Sequence, residues 1–206
     1  ARRFLESDGP DLAELRAIVG DIVDDDKRAS EVINRLRGFL KKGTLERSSV
    51  DMGDLVGQMA RLVAGDAVLR NVVTRLELAP DLPLVHGDRV QLQQVVLNLI
   101  LNGLDAMRDG KPMNRTLVLR TARGGGGSVE VTVQDSGAGI EKADLDNICE
   151  AFYTTKADGL GMGLAISRSI VKAHGERIWA TRNDGRGLSL HVELPPASVA
   201  VLPAEG

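Results

Sequence analysis

Gln94, Asn98, Asn102 and Asp105 stand at i, i+4, i+8 and i+11 in the run QVVLNLILNGLD, a spacing that sets four polar side chains along one face of an otherwise apolar helix. A buried amide without a partner costs about 1–3 kcal/mol. Two asparagines one turn apart on a core helix therefore imply something that hydrogen-bonds them. Farther along, Gly159, Gly161 and Gly163 precede a run with helical periodicity from Leu164 to His174. Glycine-rich turns at a helix start aim free N–H groups and the positive end of the helix dipole at anions, so phosphate is the expected ligand. Neither of two common phosphate motifs fits: no Gly-x-x-x-x-Gly-Lys-Ser/Thr occurs, and a Gly-x-Gly-x-x-Gly would need glycine at Leu164 and a strand before Gly159. A nucleotide with its metal ion would satisfy both the asparagines and the glycines.

Two more polar segments are candidates for the same ligand. Asp135, Gly137 and Gly139 form an Asp-x-Gly-x-Gly that closes an alternating strand, and Gly185-Arg-Gly187 precedes the last one. A carboxylate at Asp135 can accept a hydrogen bond from the exocyclic amine of adenine, a donor that guanine lacks at that edge. Gly137 and Gly139 let the backbone turn tightly and let a ring approach with no Cβ in the way.

The elements that must position these residues are legible in outline. A helix is expected from Asp51 to about Gly65 and a strand over 71–78. Asp88 and Gln91 make a capping box that starts the asparagine helix. Leu117 and Leu119, then Val129, Val131 and Val133, alternate as two strands around a glycine loop at 124–127. Residues 178–181 and 188–194 give a last pair joined across Asn183-Asp184-Gly185. Such alternation predicts an α+β fold with a mainly antiparallel or mixed sheet covered on one face. Before it, Leu15, Ile22, Ala29 and Leu36 recur every seven residues, flanked by Leu12, Val19, Ile33 and Leu40. That stripe, on a helix expected over 11–42, needs a partner helix along its whole length.

Composition adds limits. At 206 residues and 43% hydrophobic, the chain can fill one core plus an appendage. Aromatic residues make up 2% and the net charge is −3, which gives no footprint for nucleic acid. No apolar run approaches the ~20 residues that cross a bilayer, so no membrane contact is expected. Cys149 is the one cysteine, which suits a reducing, cytoplasmic setting.

Taken in order, the asparagine helix, the Asp135 motif, FYTTKADGLGMGL from Phe152 to Leu164, and Gly185-Arg-Gly187 resemble the boxes of the ATP-binding catalytic domain of sensor histidine kinases, within the superfamily that also holds gyrase, the Hsp90 chaperones and MutL. The resemblance covers residues 51–195 and implies a two-layer α/β sandwich of the Bergerat type, preceded by the second helix of a dimerisation hairpin. It divides the chain into a partial hairpin at 1–42, a linker at 43–50, a catalytic domain at 51–197 and a tail at 198–206. The implied cofactors are ATP and Mg²⁺. The implied partners are a phosphoacceptor histidine on the missing first helix of the hairpin, a response regulator, and a second copy through the N-terminal helices.

The resemblance also implies roles. Asn102 would ligate Mg²⁺, which accepts a neutral amide oxygen while keeping waters and sharing phosphates. Asn98 stands where the hydrolytic relatives carry a glutamate base; an amide cannot take a proton at neutral pH, so the site suits transfer rather than hydrolysis. Asp105, Asp135, Gly137, Gly139, Thr155, Gly159, Gly161, Gly163 and Leu164 would line the nucleotide. Lys156 would meet the terminal phosphates from a lid, and Ser189 would complete the adenine contacts. Gly103 departs from the usual alanine, Cys149 from an aromatic, and Glu176 from a glycine. His86, His174 and His191 are expected as loop or surface imidazoles, none placed as acceptor. A nucleotide-binding signalling module without kinase activity and a hydrolytic ATPase are the alternative readings.

Overall fold

The structure is a computed structural model that describes residues 18–20, 46–108, 115–154, 161–175 and 177–197. The chain divides into two units, residues 1–42 and 43–206, and the second carries the fold described below. Only Ile18, Val19 and Gly20 of the first unit are described, and they are helical; the expected helix over 11–42 otherwise lies outside the described residues.

Five strands make one sheet in the order β2-β4-β5-β7-β6: β2 (Val73–Leu78), β4 (Thr116–Arg123), β5 (Val129–Asp135), β6 (Ile178–Arg182) and β7 (Leu188–Leu194). The β2/β4 pair is parallel and the other three are antiparallel, which is the mixed sheet that the alternation predicts. Side chains of odd number on β4, β5 and their even-numbered neighbours on β7 share one face: Leu117, Leu119, Val131, Val133, Leu190 and Val192 are buried there. Helices α1 (Met52–Leu69), α2 (Arg89–Ala106) and α3 (Gly163–Ala173) cover that face. The result is a two-layer α+β sandwich.

Residues 47–50, expected within a linker, instead form strand β1 (Arg47–Val50), paired antiparallel with β3 (Val85–Asp88). RSSV has no local strand signal, so the pairing depends on the partner strand. His86 accordingly lies on a strand rather than in a loop. Helix α1 also runs past the expected Gly65 to Leu69, closing where Asn71 takes a positive φ of 55°.

Helix α2, which carries the asparagines, is fixed at its start by Asp88. The Asp88 carboxylate accepts from the N–H groups of Val90 (3.0 Å) and Gln91 (3.1 Å), the first arm of the expected capping box. The second arm is replaced: the Asp88 N–H donates to Nε2 of His174 at 3.1 Å, and Nδ1 of His174 donates to the carbonyl of Ile170 at 2.8 Å. Facing a backbone donor, Nε2 must accept, which puts the proton on Nδ1. His174 is therefore buried, not a surface imidazole, and it ties the end of α3 to the start of α2. Gly87 makes room for it, since a Cβ there would lie 2.8 Å from the ring.

Asp88→Ala removes two capping bonds at a nearly buried position. We expect a loss of about 1 kcal/mol, seen in urea titration as a lower midpoint with an unchanged slope. An unaltered midpoint would show that α2 does not rely on this cap.

Candidate functional site

The asparagine helix meets the sheet at the end of β5. Gly103 sits directly on it: a Cβ at Gly103 would lie 2.7 Å from Leu117 Cδ1 and 3.5 Å from Asp135 Cβ. At the end of the helix the Ala106 carbonyl accepts from the Ala138 N–H at 3.3 Å. Gly137 permits this, because a Cβ there would stand 2.4 Å from the Ala106 oxygen. Asp135 and Gly137 are thereby joined to the last turns of the helix that carries Asn102.

Asp135 is 5% exposed and carries no cationic partner among the described residues. Its carboxylate accepts from the Gly137 N–H at 2.7 Å and from the Leu188 N–H. Burial nevertheless dominates and pushes the carboxyl above the usual carboxylate range, with those two bonds pulling the other way. On α2, the Nδ2 of Asn102 is buried and has no hydrogen-bond partner. Buried donors in native proteins are almost always paired. A phosphate oxygen would accept from that position, and a half-turn of the amide would present its oxygen to a cation instead.

Asn98, one turn back, has a protein partner. Its Nδ2 donates to the hydroxyl of Ser167 at 2.9 Å, and Ser167 is 1% exposed on α3. Helix α3 approaches so closely that a Cβ on Gly163 would lie 2.5 Å from Asn98 Oδ1. No side chain caps the start of α3, leaving its first N–H groups, from Gly163 and Leu164 onward, available to an anion. Gly161 has φ 63° and its carbonyl accepts from the Phe152 N–H at 3.0 Å, which joins the two ends of the glycine-rich segment. Thr155, Lys156 and Gly159 lie outside the described residues.

Two further expected site residues have protein partners. Asp105 pairs with Arg70 at 2.7 Å. Ser189 lies between Leu188 and Leu190 on β7, so alternation turns it to the face away from the helices. Its hydroxyl donates to Asn183 Oδ1 at 2.6 Å. On that far face a cavity of about 410 Å³ is lined by Thr116, Gln134, Asp135, Ser136, Asn183 and Arg186, among others, and includes no residue of α2. His191 is on the same face, with Nδ1 2.8 Å from Glu130 and Nε2 2.8 Å from Thr181; it too is more enclosed than a surface imidazole. Glycine at 139, with φ 73°, packs against Gly187, whose oxygen would be 3.1 Å from a Cβ on Gly139. Sequence reasoning missed Ser167, which looks like any small residue of an amphipathic helix, and Asn183, which reads as a turn.

A helix-covered mixed sheet, a buried acid at the end of one strand, and an unpartnered amide on the facing helix define an ATP-binding domain of the α+β sandwich class. The chain belongs to the family of histidine kinase-, DNA gyrase B- and HSP90-like ATPases, which matches residues 87–198. Among curated proteins it is similar to sensor protein FixL of Bradyrhizobium diazoefficiens, with 36% identity over 96% of this chain and 39% of that protein. Among solved structures it is similar to full-length ShkA in complex with AMPPNP, at 25% identity and TM-score 0.72, over 89% of this chain and 39% of that one. A structure of the histidine kinase ThkA in complex with response regulator protein TrrA shares the fold, with TM-score 0.74 at 23% identity over 95% of this chain and 55% of that one. The chain spans less than half the length of the curated relatives it matches. No helix among the described residues is long and apolar enough to cross a membrane.

The raised Asp135 carboxyl gives a pH prediction. A carboxyl whose folded value lies above its unfolded value, about 3.9, favours the folded state most when protonated. That contribution is complete below the unfolded value and is lost as pH rises through the folded one. Asp135→Asn cannot titrate. Without nucleotide, thermal melts should therefore show the variant gaining on the parent chain as pH rises from acid to neutral; a constant difference would mean that burial does not burden the carboxylate.

Proposed function

We propose that this chain is the ATP-binding catalytic part of a sensor histidine kinase, which holds Mg·ATP so that its γ-phosphate passes to a histidine on a separate helix. The observation that carries the reading is the buried, unpartnered amide of Asn102, beside the point where α2 meets Asp135. A helix that leaves an amide nitrogen buried and unsatisfied, packed against a strand that ends in a buried acid with no cationic partner among the described residues, is suited to a polar ligand.

Asp135 would accept from the adenine amine, with Gly137 and Gly139 admitting the ring. The first N–H groups of α3, from Gly163 and Leu164, would face the phosphates, and Gly159, Gly161, Thr155 and Lys156 would complete that wall. Asn102 would hold Mg²⁺, which neutralises charge on the phosphates when bound. Asn98 would add a polar contact while its other end is fixed by Ser167. It offers no base for water, so positioning and charge neutralisation are the chain's contribution. This favours transfer over hydrolysis. Asp105 would act on the ligand only indirectly, through its place on α2 beside Arg70.

The phosphoryl acceptor would be an imidazole on the first helix of a dimerisation hairpin, whose second helix corresponds to the apolar stripe over 11–42. Two copies would associate through those helices, and a response regulator would receive the phosphoryl group. The ThkA complex with TrrA supports a partner of that kind. A cytoplasmic setting accords with the lone, buried Cys149.

Calorimetry with ATP and GTP tests the adenine reading. ATP should bind at least about tenfold more tightly, and Asp135→Asn should abolish most of that preference; equal affinities would overturn it. Because Asn102 Nδ2 bonds nothing in the protein, Asn102→Ala should leave the domain folded and remove most of the Mg²⁺ dependence of nucleotide binding. Unaltered dependence would place the metal on another residue.

A further inference from the structure

The Asp135 side chain can recognise a base only if its own peptide is held, and the sheet holds it on one side alone: Asp135 pairs with Leu117 of β4, and the N–H of its following peptide, on Ser136, donates to the Thr116 carbonyl at 3.1 Å. Pairing between β5 and β7 ends at Gln134 and Ser189, one residue short of Asp135. Beyond that point a side chain takes over. Asn183, at the start of the turn between β6 and β7, donates from Nδ2 to the Asp135 carbonyl at 2.7 Å and, at 3.3 Å, to the Arg186 carbonyl. Both of those groups are pure acceptors, so the nitrogen end of the amide must face them. Oδ1 is left to accept from Ser189 Oγ at 2.6 Å. The amide thus joins the end of β5, the turn and the start of β7.

Gly187 closes the same contact from the other side. Its φ is 93°, and a Cβ on it would lie 1.9 Å from the Asp135 carbonyl oxygen. The turn can press against this peptide only with glycine at that position. The Asp135 carbonyl meets Asn183 beside the cavity, while its Cβ lies toward Gly103 of α2. With the N–H end of that peptide bonded to Thr116, the Asn183 contact holds its carbonyl end and so restrains the backbone from which the carboxylate projects.

We infer that Asn183 is a positioning residue for base recognition, with the Ser189 hydroxyl locking its amide, so that adenine selectivity is set partly from the face of the sheet opposite the nucleotide. This rests on the reading of Asp135 as the adenine contact. Asn183→Asp keeps the shape and replaces the donor by a carboxylate aimed at a carbonyl. Ser189→Ala removes only the lock.

The test is titration of the parent chain and both variants with ATP and inosine triphosphate, which has a carbonyl where adenine has its amine, alongside circular dichroism to follow folding. The parent chain should prefer ATP. Asn183→Asp should lose about tenfold in ATP affinity with inosine triphosphate affinity held, and Ser189→Ala should lose about threefold in the same selective way. A general loss of stability would weaken both nucleotides alike, and that result overturns the inference, as does undiminished preference in the variants. If Asn183→Asp does not fold, Ser189→Ala alone decides by the same criterion. A parent chain that does not distinguish the two nucleotides overturns the adenine reading itself, and with it the inference.

Discussion

The close approach of α2 to the end of β5 is the constraint on which the rest of the site depends. Helices pack on sheets at distances set by their side chains, and here the contact residue is Gly103, with no side chain at all. Asp135 is brought against α2 at that point as a result. Glycine within a helix costs up to about 1 kcal/mol relative to alanine. A methyl at Gly103 would have to displace Leu117 Cδ1, which belongs to a fully buried side chain near the start of β4. The local cost is therefore balanced against packing, and the same packing determines how near the asparagines stand to the acid.

A second constraint is the pairing of α2 with α3. The two helices are joined at opposite ends by polar bonds rather than by apolar contact alone. Asp88 N–H meets His174 where α2 starts and α3 ends; Asn98 meets Ser167 near the start of α3. Because each bond is buried or half-buried, breaking it would strand a polar group, which gives these contacts directional force that apolar packing lacks. The uncapped start of α3 is held against Asn98 by this frame, with Gly163 permitting the final approach.

The sheet contributes differently on its two faces. Toward the helices it presents an apolar surface that ends in one acid. On the open face it presents a polar lattice in which Asn183, Ser189, Thr181, Glu130 and His191 bond one another or nearby backbone, and Trp179 stacks on His191 with ring centroids 5.0 Å apart. The turn at 183–187 belongs to that second face, yet it supports the acid on the first.

The sequence alone determined the elements whose periodicity is long enough to be unambiguous: the asparagine helix, the alternating strands and the glycine-rich helix start, together with the family resemblance their order carries. It also singled out Asn102 and Asp135, because a polar residue on an apolar face needs a reason that can be read in one dimension. Only tertiary structure decided the rest. Strand β1 exists because β3 is there to pair with it, and RSSV has no pattern of its own. The second arm of the Asp88 cap went to His174, 86 residues away, instead of to Gln91, because a buried imidazole nitrogen reaches that N–H first. Ser189, expected beside the base, has its side chain on the face away from the helices and bonded to Asn183, a placement that the register against β5 and β6 decides. Ser167 and Asn183 leave no trace in sequence, since a hydroxyl or an amide acquires its role from the group that folding sets opposite it.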